Sequence, residues 1–201
     1  SGTVLQLAAF KGDEAMVKLL VAHGALIDQE GGEYGSALQA AASEGHVNTV
    51  RMLLELNDES DMEPLDLNRQ TGSTKTALQA AAAAGHTEIV RILLEQDLDV
   101  DQSDAQHESA LHQAAANNHL EAIELLLGKG AEILLPGPNG SALDNAIYQG
   151  HEEAAMMLLA GGAKIDVDND KSAVAMKHAL KYNHGGVVNL ILSHDAHKDA
   201  K

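Results

Sequence analysis

Eleven histidines and thirty carboxylates stand against no cysteine in a chain of 201 residues. Such a set could ligate a metal through imidazole and carboxylate, or carry general acid–base chemistry. It excludes a disulfide frame and a thiolate metal site. Spacing decides between these chemistries. His194 and His197 have the separation of two ligands on one helix face, but no further ligand is evident beside them. His46, His86, His119, His151 and His184 recur at one position per period, which reads as a packing group at a helix start rather than a metal site. Gly72-Ser73-Thr74-Lys75 has the composition of a phosphate loop without the Gly-x4-Gly-Lys-[Ser/Thr] spacing. Neither a Gly-x-Ser-x-Gly elbow nor a His-Glu-x-x-His pair is present. The carboxylates fall almost entirely in loops. No enzymatic activity, cofactor or resident metal is expected.

The residues that must position any site are mostly small and aliphatic. The hydrophobic fraction is 45%, but aromatics make up only 2%, with one Phe, three Tyr and no Trp. A core of Ala, Leu, Val, Ile and Met suits closely approaching helices better than strands, which favour aromatic and β-branched residues. The formal net charge of −17 disfavours nucleic-acid phosphates and anionic membranes and equally suits a basic partner or solubility alone. No apolar run approaches the roughly 18 residues of a membrane span. With no signal peptide and no cysteine, the expected location is intracellular, cytoplasmic or nuclear.

An internal repeat organises the chain. Its anchors are Asp13, His46, His86, His119, His151 and His184, spaced by 33, 40, 33, 32 and 33 residues. Eight residues before each stand Leu5, Leu38, Leu78, Leu111, Leu143 and Met176; five before stand Ala8, Ala41, Ala81, Ala114, Ala146 and Ala179. Seven after each stand Leu20, Leu53, Leu93, Leu126, Leu158 and Ile191. Apolar positions at i, i+3 and i+4 define a helix face, and each period holds two short helices. The first is narrow and Ala-rich; the second carries larger aliphatic residues. One such pair cannot bury its own apolar surface, so copies must stack. Gly24, Gly130 and Gly162 stand where helices should end.

Ser36-Ala37-Leu38-Gln39-Ala40-Ala41, Thr76-Ala77-Leu78-Gln79-Ala80-Ala81, Ser109-Ala110-Leu111-His112-Gln113-Ala114 and Ser141-Ala142-Leu143-Asp144-Asn145-Ala146 resemble the Thr-Pro-Leu-His-x-Ala opening of the ankyrin repeat. Gly24-Ala25-Leu26-Ile27-Asp28 and Gly162-Ala163-Lys164-Ile165-Asp166 resemble its closing Gly-Ala-Asp-Val-Asn. The family's Pro is absent, and its His survives only as His112, which puts the local hydrogen bond of that residue in question. The resemblance implies an all-α solenoid of six helix-turn-helix repeats with β-turn or hairpin finger loops. The expected units are 1–30 (partial), 31–63, 71–103, 104–136, 137–168 and 169–201, with 64–70 inserted. The chain reads as beginning inside a first helix and lacking polar caps, hence as a piece of a longer array. Ile147 and Leu180 replace a small packing Ala and should alter stacking. The stretch 29–41 is similar to arrays of fungal NACHT-type proteins, which implies an alternative role as an intramolecular regulatory or sensor array.

The resemblance implies a protein–protein scaffold whose partner lies on a concave surface of fingers and first helices. The aromatics fall at such positions: Tyr34 at a finger, Phe10, Tyr148 and Tyr182 late in first helices. Tyr is enriched at binding hot spots. The candidate contact set is Phe10, Glu33, Tyr34, Glu44, Asp104, His107, Asn117, Tyr148, Gln149 and Tyr182. Acidic fingers (Asp28, Glu30 and Glu33; Asp97, Asp99, Asp101 and Asp104; Asp166, Asp168 and Asp170) point to a basic partner, although Asp28, Asp101 and Asp166 equally suit turn formation. The enlarged loop from Asn57 to Lys75, with its acids and Met62, Pro64, Leu65 and Leu67, fits a functional insertion and a tolerated one equally. The array is expected to be monomeric.

Overall fold

The computed structural model describes residues 2–29, 35–58, 65–69, 75–103, 108–165 and 169–198. They contain twelve helices: α1 (Val4–Phe10), α2 (Glu14–Ala22), α3 (Ala37–Ser43), α4 (Val47–Asp58), α5 (Ala77–Ala84), α6 (Thr87–Leu94), α7 (Ala110–Ala116), α8 (Leu120–Gly128), α9 (Ala142–Gln149), α10 (Glu152–Ala160), α11 (Asp170–Lys181) and α12 (Gly185–Lys198). Each odd helix packs on the even helix that follows it. Odd helices also stack on odd and even on even, giving two layers. Among the described residues there is no strand; one isolated antiparallel bridge joins Gly137 and Gly140 in the finger before α9.

The turn between paired helices is one device copied six times. The N–H of Asp13, His46, His86, His119, His151 and His184 donates to the carbonyl of the Ala five residues earlier, at 2.9–3.0 Å. Closing so tight a turn needs a left-handed residue just before the anchor. Gly12, Gly45, Gly85 and Gly150 supply it at φ 67–79°, and Asn118 and Asn183 at 58° and 57°. These Ala carry their side chains into the interior, and a bulkier residue would push the layers apart. Leu53, Leu93, Leu126 and Leu158 of the even helices are fully buried beside them.

The first-helix openings are capping boxes, and Gln does the work expected of His. In Thr3/Gln6, Ser36/Gln39 and Thr76/Gln79 the cap hydroxyl accepts the N–H three residues on, and the Gln Oε1 accepts the cap N–H at 2.6–2.8 Å. The same Gln has a donor left over. Gln79 Nε2 reaches Gln102 O at 2.7 Å and Glu108 O at 2.9 Å, tying both sides of the next finger to α5. Gln6 does likewise to Gln29 O and Gly35 O, and Gln39 to Arg69 O. A side chain with both acceptor and donor meets the requirement, so loss of His costs nothing at these copies. Asp144 can only accept, and takes the Ser141 N–H and hydroxyl.

Two expectations need correction. Thr3 caps α1, so the first helix is whole rather than entered midway. Leu180 is not a packing residue: it is 63% exposed, whereas Ile147 at the corresponding place is buried. Phe10 is partly exposed, as its position requires, and rests against the core.

Candidate partner-binding surface

The repeat fixes where the candidate residues must fall. Phe10 and Gln149 end α1 and α9, Tyr148 precedes Gln149, and Glu44, Asn117 and Tyr182 are the C-cap residues of α3, α7 and α11. Because odd helices stack in register, their C-terminal ends form one row. Glu44, Asn117, Tyr148, Gln149 and Tyr182 are exposed along it. Glu33, Tyr34, Asp104 and His107 lie outside the described residues.

The row converges in one place. Tyr148 and Tyr182 are brought together by His178, a residue absent from the expected set. The His178 ring stacks on Tyr148 at 3.6 Å between centroids and 15° between planes, and meets Tyr182 at 4.2 Å and 40°. His178 Nδ1 donates to Tyr148 O at 2.9 Å; because the acceptor is a carbonyl, that nitrogen carries the proton. Lys181 Nζ lies 5.0 Å from the Tyr182 centroid, a cation–π distance. Sequence spacing held the clue. The position six residues before one anchor lies beside the position three residues before the previous anchor. Only in the last two repeats are both filled by rings.

Beside this cluster, an open groove of about 490 Å³ follows the exposed side of α9. Glu108 and Asn139, just before α7 and α9, and Lys171, in the first turn of α11, stand at one end; Tyr148 and Gln149 stand at the other, with Asn145 among them. Amides, one carboxylate and one ammonium can pair with a peptide backbone or a polar side chain. Among the described residues no three His, Asp or Glu are grouped as metal ligands, and the His194 and His197 side chains lie outside them.

The recurrent histidines have another task. His46, His86, His119 and His151 each direct Nε2 to a carbonyl of the preceding repeat, namely that of Phe10, Ser43, Ala83 and Ala116, at 2.9–3.1 Å. These bonds tie each repeat to the one before it. Several acidic finger residues are likewise engaged in finger-to-finger structure. Asp28 pairs with Arg69 at 2.7 Å, and Asp101 accepts the Glu132 N–H at 2.9 Å. Asp99 accepts the Asp101 N–H at 3.0 Å, a turn-forming bond.

A family model described as ankyrin repeats matches the chain in three copies, over residues 1–66 and 62–137. The chain belongs to the ankyrin repeat family. No curated protein matches it. Ankyrin repeats are in general protein–protein interaction modules, and their fold is a non-catalytic scaffold. No described helix of this ankyrin array is long and apolar enough to cross a membrane.

Proposed function

We propose that this chain is a recognition module that seats an extended, basic segment of a partner protein along the C-terminal ends of its odd helices. The observation that carries this reading is the Tyr148–His178–Tyr182 cluster, partly exposed on a chain with four aromatics, beside an open groove with both polar and apolar lining. Aromatic rings offer large contact area with little rotamer freedom to lose. The formal charge of −17 supplies long-range attraction for cations.

The partner is identified by affinity capture from the source cell and its binding then measured on purified protein. Tyr182→Ala should weaken binding by about 1 kcal/mol or more, a hot-spot loss, with the melting temperature nearly unchanged because Tyr182 is 54% exposed. Tyr148→Ala should weaken it similarly and also lower stability by about 0.5–1.5 kcal/mol, the worth of a ring pair. Added salt should slow association more than dissociation. Full binding by both variants would remove the surface from consideration. A second reading, an intramolecular array holding another domain of a larger NACHT-type protein, is favoured by the stretch 29–41; the partner would then be a segment of the same polypeptide.

A further inference from the structure

One buried side chain in the groove beside α9 has bonding capacity that the fold does not use. Asn145 is 6% exposed, yet its carboxamide makes no hydrogen bond to any described residue and opens onto the groove. Buried polar groups are nearly always bonded, and one that is not needs an explanation. The equivalent positions, six residues before each anchor, show that the stack has no need of an amide there. Ala40 and Ala80 fill the place in the second and third repeats. Gln113 is as buried as Asn145 but engages both ends of its amide, accepting from Lys75 Nζ and donating to Glu108 Oε2. His178 is bonded to and stacked on Tyr148.

The surroundings limit what can reach Asn145. Tyr148 and Gln149 follow it by three and four residues, so all three share one face of α9. Ala116 of α7 and Ala175 of α11 flank that face, and their small side chains leave room for close approach. α11 begins 14 residues before its anchor, where α9 begins nine before, and the extra turn supplies Lys171 and Val174 as one wall of the groove. Glu108, fixed by Gln113, presents a carboxylate at one end.

A primary carboxamide offers an acceptor and donors side by side. A cation satisfies only its oxygen, and an anion only its nitrogen. The N–H and C=O of one residue in an extended chain point to the same side and satisfy both at once, as in an antiparallel pair. We propose that Asn145 is the main-chain anchor of this groove: its carboxamide accepts the N–H and donates to the C=O of one residue in an extended partner segment, whose basic side chain reaches Glu108. This inference rests on the partner surface proposed above and adds a contact that does not depend on the aromatic rings.

The probe is a random dodecapeptide library displayed on phage and selected on the 201-residue chain, with the enriched sequence resynthesised as a capped peptide. Asn145→Ala installs the residue that the second and third repeats already carry. Its urea midpoint should hold or rise, while affinity for the peptide falls about fivefold or more, the loss of at least one hydrogen bond. Asn145→Asp should also weaken binding, although it adds negative charge for a basic ligand, because a carboxylate would then face the peptide C=O. Methylating the anchored peptide N–H, located by scanning the peptide, should cause a similar loss on the parent chain and little further loss on Asn145→Ala. A lowered midpoint in Asn145→Ala, tighter binding by Asn145→Asp, or methylation and Asn145→Ala losses that add in full would each overturn the proposal. So would a selection that enriches no peptide. Weakening by Tyr182→Ala without weakening by Asn145→Ala would leave the partner surface standing and remove this anchor; no weakening by either would remove both.

Discussion

Replacing Gln79 by Leu tests the claim that one side chain holds together a helix start and the finger after it. Gln79 is fully buried. Its Oε1 accepts the N–H of the buried Thr76 at 2.7 Å, and its Nε2 donates to Gln102 O at 2.7 Å and Glu108 O at 2.9 Å. Leucine fits the volume and makes none of these bonds. Each net hydrogen bond contributes about 1 kcal/mol, and a donor left buried without a partner costs about 1–3 kcal/mol. The finger carbonyls recover part of their loss from water. The sum is a destabilisation of about 2–4 kcal/mol in urea unfolding. Gln79→Glu separates the two roles, because it keeps the acceptor and turns the donor into a carboxylate facing two carbonyls. Those carbonyls disfavour the charge and raise that variant's folded pKa above the unfolded value. Its protonated form can donate, so the variant should be most stable in acid. Its stability should fall as pH rises from the unfolded value through the folded one. A cost below about 1 kcal/mol for Gln79→Leu, or a Gln79→Glu variant whose stability relative to the parent ignores pH, would refute the reasoning.

Two further substitutions probe the stack itself. Leu93→Ala removes a fully buried side chain between the layers and should cost about 2–5 kcal/mol in equilibrium unfolding; a loss under about 0.5 kcal/mol would place Leu93 outside the core. Gly85→Ala and Gly130→Ala both force a left-handed Ala, at φ 75° and 89°, worth about 1–2 kcal/mol. At Gly85 the new Cβ would also lie 2.5 Å from His119 Cε1, whereas nothing stands within 4 Å at Gly130. Gly85→Ala should therefore lower the melting temperature more, and equal losses would show that the His119 ring is free to swing aside.

The fold was legible because every copy obeys the same geometry. Leu53, Leu93 and Leu126 are buried as their spacing requires, and the tight turn recurs with Gly or Asn at its left-handed position. The ends of the elements were harder to read. Thr3 looked like helix interior until its hydroxyl was seen to accept the Gln6 N–H. Leu180 looked like core because burial in a stack depends on the neighbouring repeat, which one-dimensional spacing does not reveal. The site was legible only in outline. Tyr148 and Tyr182 stood out by rarity, but His178 was hidden among eleven histidines, four of which tie one repeat to the next. Its contact crosses between helices 30 residues apart in the chain.

That division has a physical origin. Positions inside the stack are constrained twice, by their own helix and by the repeat beside them, so the same small residues return at every copy. Positions at the C-terminal ends of the odd helices are constrained only by helix geometry. Glu44, Asn117 and Gln149 occupy equivalent places with a carboxylate and two amides, and Tyr182 fills the fourth with a ring. The fold is indifferent among these chemistries because none of the four is buried. A partner is not indifferent, since charge, amide and ring pair with different groups. Variation where the stack exerts no demand is therefore where recognition can be written without cost to stability. Tyr148 is the exception among these positions: the ring is exposed on one side and stacked on His178 of the next repeat on the other. It is both held and available, which is what a preorganised contact requires.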